Sequence, residues 1–326
     1  MVSSAVTQAT DDYQLATRID DPLPSLAQVE PPELPTIRLG AVQCAWSADR
    51  RRHLETLERG IELAVDHGAR VVCLQELTLS PYFAVDADLS GALDRFGEDL
   101  ETGPTQTFAR AMAERYGIAV HASLYERVDE QTGYNTAICV EASGELVART
   151  RKLHIPSFPG YHEDRYFRPG DSGFPVVSVA GFNFGFPTCW DQWFPELARI
   201  YSLEGAEILV YPTAIGSDPQ LDDLDTQPLW ERLIVANGLA NATFMVAVNR
   251  IGFEEPLRFY GSSFISDPYG RVLVRAPRER PAVLVADLDL NHRRDWLDFG
   301  LITTRRPDQY RRLVDSAPLS ARQDGR

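Results

Sequence analysis

The sequence predicts an α/β fold in which helices lie against a mixed β-sheet. Segments with a helical period alternate with segments of strand period along most of the chain. Some neighbouring strands are too close for a helical crossover and read as hairpins, as at Pro268-Tyr-Gly270. Hairpins join antiparallel strands and crossovers join parallel ones, so a chain containing both builds a mixed sheet. With 326 residues, 44% of them apolar, the chain can bury one large α/β core or two ordinary ones.

Residues 1–35 stand apart. They carry Asp11, Asp12, Asp20, Asp21 and Glu30 among five prolines and show no sustained period. They read as an extended or disordered acidic tail lying over a partner subunit. Residues 36–290 read as the folded domain. Thr36 to Cys44 alternates as a strand does, and Leu54, Leu57, Ile61, Ala64 and Val65 then recur at helical spacing. Val71 to Leu74 is a short buried strand. Phe108, Met112 and Tyr116 mark a helix stopped by Gly117. Strands follow at Ala119 to Tyr125, Asn135 to Val140 and Leu146 to Lys152, and an apolar run extends from Phe182 to Thr188. A helix starting near Pro195, a strand at Ile208 to Tyr211, a helix at Leu229 to Asn241 and a strand at Phe244 to Asn249 continue the alternation. Phe264 to Asp267, Val272 to Val274 and Val283 to Asp287 complete the strands. Residues 291–326 form a C-terminal extension whose basic, polar stretch from Asp295 is expected to pack outside the domain, at a subunit interface.

Net charge is −15, which argues against nucleic acid or an anionic membrane surface as partner. No stretch approaches the roughly 18 unbroken apolar residues of a membrane span, and no secretory signal is evident, so a cytoplasmic location is expected. The four cysteines lack the paired spacing of a zinc site, and the glycines lack that of a phosphate loop. No metal and no cofactor is therefore expected. Cys44, Cys73 and Cys139 sit in apolar runs and read as core.

Cys189 is different. It leaves an apolar run and faces a new helix, where backbone N–H groups and a helix dipole would favour a thiolate. A cysteine amidase also needs a base for the thiol proton and a cation or donors for the tetrahedral oxyanion. Glu76, just past the strand Val71 to Leu74, and Lys152, closing the strand Leu146 to Lys152, are candidates from strand ends, where α/β sites gather. Taken alone, each reads more readily as a solvated surface charge.

Together, the runs Leu74-Gln-Glu76-Leu77, Arg151-Lys152-Leu-His-Ile-Pro156 and Cys189-Trp-Asp-Gln-Trp-Phe-Pro-Glu196 resemble, in order, the three motifs of the nitrilase (carbon–nitrogen hydrolase) superfamily. Pro156-Ser-Phe-Pro-Gly-Tyr-His-Glu163, Tyr211 to Pro219, Asn249-Arg-Ile-Gly252 and Phe259 to Phe264 resemble its N-carbamoylputrescine amidase branch. The resemblance spans about Thr36 to Tyr310. It implies a four-layer α-β-β-α sandwich with mixed sheets, assembled as a homodimer or higher homo-oligomer. It implies Glu76 as general base, Cys189 as nucleophile and Lys152 as the oxyanion's cation, with the Trp190 backbone N–H completing the oxyanion hole. Glu163 matches a second acid that positions the lysine, although a plain ion pair with Arg165 is an equal reading. Tyr82, Tyr161, Trp190 and Trp193 are candidate pocket walls, each equally readable as core. Asp218 falls where the branch has a glutamate that would anchor a substrate ammonium. The implied substrate is a small N-carbamoyl or amide compound, N-carbamoylputrescine by preference. 3-Ureidopropionate, another amide or nitrile, and a catalytically silent scaffold are the alternatives. From the residues themselves, a Cys189–His154 dyad is a competing mechanism.

Overall fold

The computed structural model describes residues 5–10, 12–217 and 224–314. The chain opens with strands β1 (Val6–Ala9), β2 (Gln14–Arg18) and β3 (Thr36–Gln43), then helix α1 (Arg50–Asp66) and β4 (Val71–Cys73). A short helix α2 (Ala92–Phe96) and the longer α3 (Pro104–Tyr116) lead to β5 (Ala119–Arg127), β6 (Gly133–Val140) and β7 (Leu146–Arg151). The small hairpin β8 (Ser157–Phe158) and β9 (Tyr161–His162) precedes β10 (Val176–Val179), β11 (Phe182–Gly185), α4 (Pro195–Leu203), β12 (Ile208–Thr213), α5 (Gln227–Asn241) and β13 (Phe244–Asn249). A second hairpin, β14 (Ile251–Glu254) and β15 (Leu257–Tyr260), is followed by β16 (Phe264–Ser266), β17 (Val272–Arg275), β18 (Ala282–Asp289) and α6 (Leu290–Asp298).

Two mixed sheets result. One has eight strands in the order β1-β2-β18-β3-β4-β5-β6-β7, parallel through β3, β4 and β5 and antiparallel through β5, β6 and β7. The other has six, β10-β11-β12-β13-β16-β17, with β11, β12 and β13 parallel. Side chains alternate across each pleat, and this distributes the core. Val71 and Cys73 of β4 join Phe244, Val246 and Val248 of β13 in a layer between the sheets. Val72 turns outward to meet Leu57 and Ile61 of α1 and Phe108 and Met112 of α3. Met245 and Ala247 turn outward on the other side, to Leu197 and Tyr201 of α4 and Ile234 of α5. This is the four-layer α-β-β-α sandwich. Among the described residues no helix is long and apolar enough to cross a membrane.

The domain limits at 36 and 290 need correction. Gln14–Arg18 is not tail: β2 pairs in parallel with β18 along Ala282–Ala286, and Tyr13 and Leu15 are buried in the layer beneath α1. The alternation Tyr13, Leu15, Thr17 is strand-like, but it is too short to show between acidic and proline-rich neighbours. Residues 20–35 lie over this chain's own α6: Ser25 Oγ donates to Asp295 Oδ2 at 2.6 Å, and the Glu33 and Leu34 amides donate to Asn291 Oδ1 at 3.0 Å. Nor does α6 lie outside. Leu290, Asn291, His292, Arg293 and Asp295 are buried, with Arg293 reaching the carbonyl of Asn241 at the end of α5. Among the described residues of this extension, the stretch from Phe299 to Val314 is predominantly exposed.

Candidate active site

The strand ends carry the site. Glu76 lies three residues past β4, Lys152 directly follows β7, and Cys189 lies four residues past β11. All three are buried, Glu76 and Lys152 completely and Cys189 at 5% exposure. Lys152 Nζ donates to Glu163 Oε2 at 2.6 Å and to Glu76 Oε1 at 3.0 Å. Glu163 thus pairs with the lysine. Its other oxygen accepts from the Tyr82 hydroxyl at 2.7 Å. Glu76 Oε1 also accepts from Asn135 Nδ2 on β6 at 2.7 Å, whereas Oε2 is buried without a hydrogen-bond partner among the described residues.

Burial penalises the Lys152 ammonium, but the Glu163 and Glu76 carboxylates and the Cys189 sulfur more than offset it, holding the amine charged well beyond its ordinary range. Burial pushes the Glu163 carboxyl up to about 7, against the pull of Lys152 and with the help of Glu76. The Cys189 thiol is raised well above its ordinary value by burial, then by the Glu76 charge, with Lys152 and the Ala214 backbone opposing. This corrects the expectation of a helix-stabilised thiolate. Cys189 opens a single 3₁₀ turn, Cys189–Trp193, and the α-helix begins only at Pro195. Burial and the Glu76 charge thus favour the protonated thiol.

The turn is held by Asp191. Cys189 sits in the left-handed region at φ +42°, strained for a residue with a Cβ by about 1–2 kcal/mol. Asp191 Oδ2 accepts from the Thr188 amide at 3.0 Å and Oδ1 from the His154 amide at 2.9 Å, tying the segment after Lys152 to the cysteine turn. The His154 ring also goes to Asp191 Oδ1, at 2.8 Å, and stacks on Phe194. The charged groups that act on the Cys189 sulfur are Glu76, Lys152 and Glu163 and do not include His154, so the Cys189–His154 dyad finds no support here.

Cys189 and Glu163 open into a cavity of about 210 Å³ walled by Phe158, Tyr161, Trp190, Trp193 and Ile215. Tyr161, Trp190 and Trp193 line this cavity; Tyr82 does not, standing instead behind Glu163. Asp218 lies outside the described residues. Sequence reasoning missed Asn135 and Asp191 as site residues. A lone asparagine among the buried positions of β6 is the only sign of the first, and the second is hidden inside the Trp-Asp-Gln-Trp run. Among the described residues no group of three or more His, Cys, Asp or Glu is placed to hold a metal ion.

Residues 38–298 match the family model described as carbon–nitrogen hydrolase. An N-carbamoylputrescine amidase of Solanum lycopersicum is 37% identical over 290 residues, 85% of this chain and 95% of that protein. A citrullinase of Francisella tularensis is 36% identical over 285 residues, 85% of this chain and 98% of its own length. The crystal structure of a carbon–nitrogen hydrolase from Helicobacter pylori G27 superposes with a TM-score of 0.78 at 31% identity, covering 87% of this chain and all of that one.

Proposed function

The chain belongs to the carbon–nitrogen hydrolase family and hydrolyses carbon–nitrogen bonds; we propose that its substrates are N-carbamoyl amines, cleaved through a covalent intermediate on Cys189. The observation that carries this reading is the unpartnered Oε2 of Glu76, whose charge raises the Cys189 thiol while Oε1 is fixed by Lys152 and Asn135. A carboxylate held by one oxygen, with the other free, is equipped to accept the thiol proton.

Cys189 Sγ, deprotonated by Glu76, attacks the carbamoyl carbon. The oxyanion is held by the Lys152 ammonium and the Trp190 N–H. The amine leaves with the proton returned by Glu76, leaving a thiocarbamate on the sulfur. Water, deprotonated by Glu76, adds to that carbon and expels the thiol, and the carbamic acid released decomposes to carbon dioxide and ammonia. Glu163 keeps Lys152 aimed at the reacting centre and takes no part in bond making.

N-Carbamoylputrescine and citrulline share a terminal ureido group, a short methylene chain and an ammonium. The nearly apolar, aromatic walls suit that chain, and Asp218 is the residue to which we assign the ammonium. The exposed apolar side chains Phe299, Leu313 and Val314 mark the surface where we place a second copy of the chain. The test of function is an ammonia-release screen over N-carbamoylputrescine, citrulline, 3-ureidopropionate, simple amides and nitriles. The two ureido amines should lead in kcat/KM, and a lead for 3-ureidopropionate or a nitrile overturns the assignment.

A further inference from the structure

Arg250, the first residue after β13, has a completely buried side chain that touches none of the reacting groups. Its Nη2 donates to three backbone carbonyls of one loop: Glu76 at 2.7 Å, Leu77 at 3.1 Å and Ser80 at 3.3 Å. Its Nη1 donates to Glu254 Oε1 at 2.6 Å, and the second oxygen of Glu254 accepts from the Tyr82 amide at 2.7 Å. One ion pair therefore grips residues 76–82 at both ends. One end carries Glu76; the other carries Tyr82, whose hydroxyl binds Glu163. The loop between them is not a conformation the backbone takes freely, since Leu77 is left-handed at φ +48°. The preceding residue, Asn249, does the same for the opposite wall: its side chain accepts from the Ile215 amide and donates to the Ile215 and Gly261 carbonyls.

We propose that the Arg250–Glu254 pair is a positioning clamp that sets the Glu76 carboxylate and the Tyr82 hydroxyl together against Lys152 and Cys189. This rests on Glu76 being the base. A guanidinium is suited to the task because its fixed, planar fork meets three carbonyls and a carboxylate at once, which an ammonium cannot. The titratable groups facing the Cys189 sulfur are Glu76, Lys152, Glu163, Tyr82 and Tyr260. When the loop relaxes, Glu76 and Tyr82 move with it, while Lys152 keeps its 2.6 Å bond to Glu163. The thiol then loses the neighbouring charge that opposes its ionisation.

The experiment compares Arg250→Lys, Glu254→Gln and Glu76→Gln with the unaltered chain in kcat, KM and the pH dependence of Cys189 alkylation by iodoacetamide. Both clamp variants should lose kcat by roughly 10- to 100-fold, the scale of a misplacement near 1 Å, with KM little changed. Their alkylation midpoint should move to lower pH. Glu254→Gln keeps the side chain's shape and serves if Arg250→Lys does not fold. Unaltered kcat in the folded clamp variants overturns the proposal, as does a loss of kcat with an unshifted alkylation profile, which a purely structural role would give. Acylation retained by Glu76→Gln removes the base assignment itself, and so separates that failure from a failure of the clamp.

Discussion

Replacing Lys152 by Met tests whether the buried cluster is one electrostatic unit. The ammonium is the only cation bonded to Glu76 and Glu163 among the described residues, and all three side chains are fully buried. Removing one partner of a buried ion pair costs about 3–5 kcal/mol, because an uncompensated charge is left in a poor solvent. At about 2 °C per kcal/mol, the low end appropriate to a large domain, the unfolding midpoint should fall by roughly 6–10 °C. The pH dependence is the sharper readout. Glu163 has a carboxyl raised to about 7 with the lysine present; without it, the two facing carboxyls share a proton to higher pH. Above pH 7 the native variant thus holds a proton that the native parent has released, while the unfolded chains match. By linkage the variant's deficit grows as pH rises, by up to about 1.4 kcal/mol per unit. Thermal unfolding monitored at pH 6.5 and 8.5 should show a deficit larger at 8.5 by up to about 2 kcal/mol, accrued over the 1.5 units above pH 7. Adding Glu163→Gln to Lys152→Met should remove most of that slope. A deficit that is independent of pH, or a variant as stable as the parent at pH 8.5, would refute the coupling of these three groups.

Three further outcomes follow from the same geometry. Glu163→Gln alone removes a group whose folded value, about 7, exceeds its ordinary 4.5; the parent loses stability as pH climbs through that window, so the variant's midpoint relative to the parent should rise between pH 5 and 7. A parallel pair of curves would contradict the raised carboxyl. Asn135→Ala deletes the 2.7 Å bond to Glu76, worth about 1.5–3 kcal/mol for a charged acceptor, and should lower kcat about tenfold or more with KM nearly constant. An unchanged kcat would mean that Lys152 alone fixes the carboxylate. Asp191→Asn leaves one oxygen to serve the Thr188 and His154 amides, costing about 1–3 kcal/mol per donor left unpaired. Denaturant unfolding should show that loss, together with slower alkylation of Cys189; an unaltered alkylation rate would separate the clip from the cysteine turn.

The layered fold was legible because period and pleat report burial directly: Val71, Val72 and Cys73 are all apolar since both faces of β4 are covered. Glu76, Lys152 and Cys189 were legible as strand-end residues in recognisable runs. Their meeting was not, because it depends on tertiary closure of two sheets. The state of the sulfur was misread for the same reason. A cysteine before a proline-started helix suggests an activated thiol, but full burial beside Glu76 has the larger effect. Tyr82 reads as an aromatic wall, and only its hydroxyl's 2.7 Å bond shows otherwise. Arg250 lies in the Asn249-Arg-Ile-Gly252 run, but nothing local shows its part, since the loop carbonyls it binds lie some 170 positions earlier in the chain.

The strand Gln14–Arg18 has a consequence for how this chain tolerates shortening. With it in place, β18 is an interior strand, paired on one side along Ala282–Ala286 and on the other with Thr36–Gln43. A version begun at Thr36 would strip Tyr13 and Leu15 from beneath α1 and turn the backbone of β18 into an open rim. Unpaired amides and carbonyls along a flat apolar strand are a template for self-association. A trimmed protein would then fail by clumping while every reacting group was still in place. The strand Gln14–Arg18, which carries no reacting group, is what covers that rim of β18.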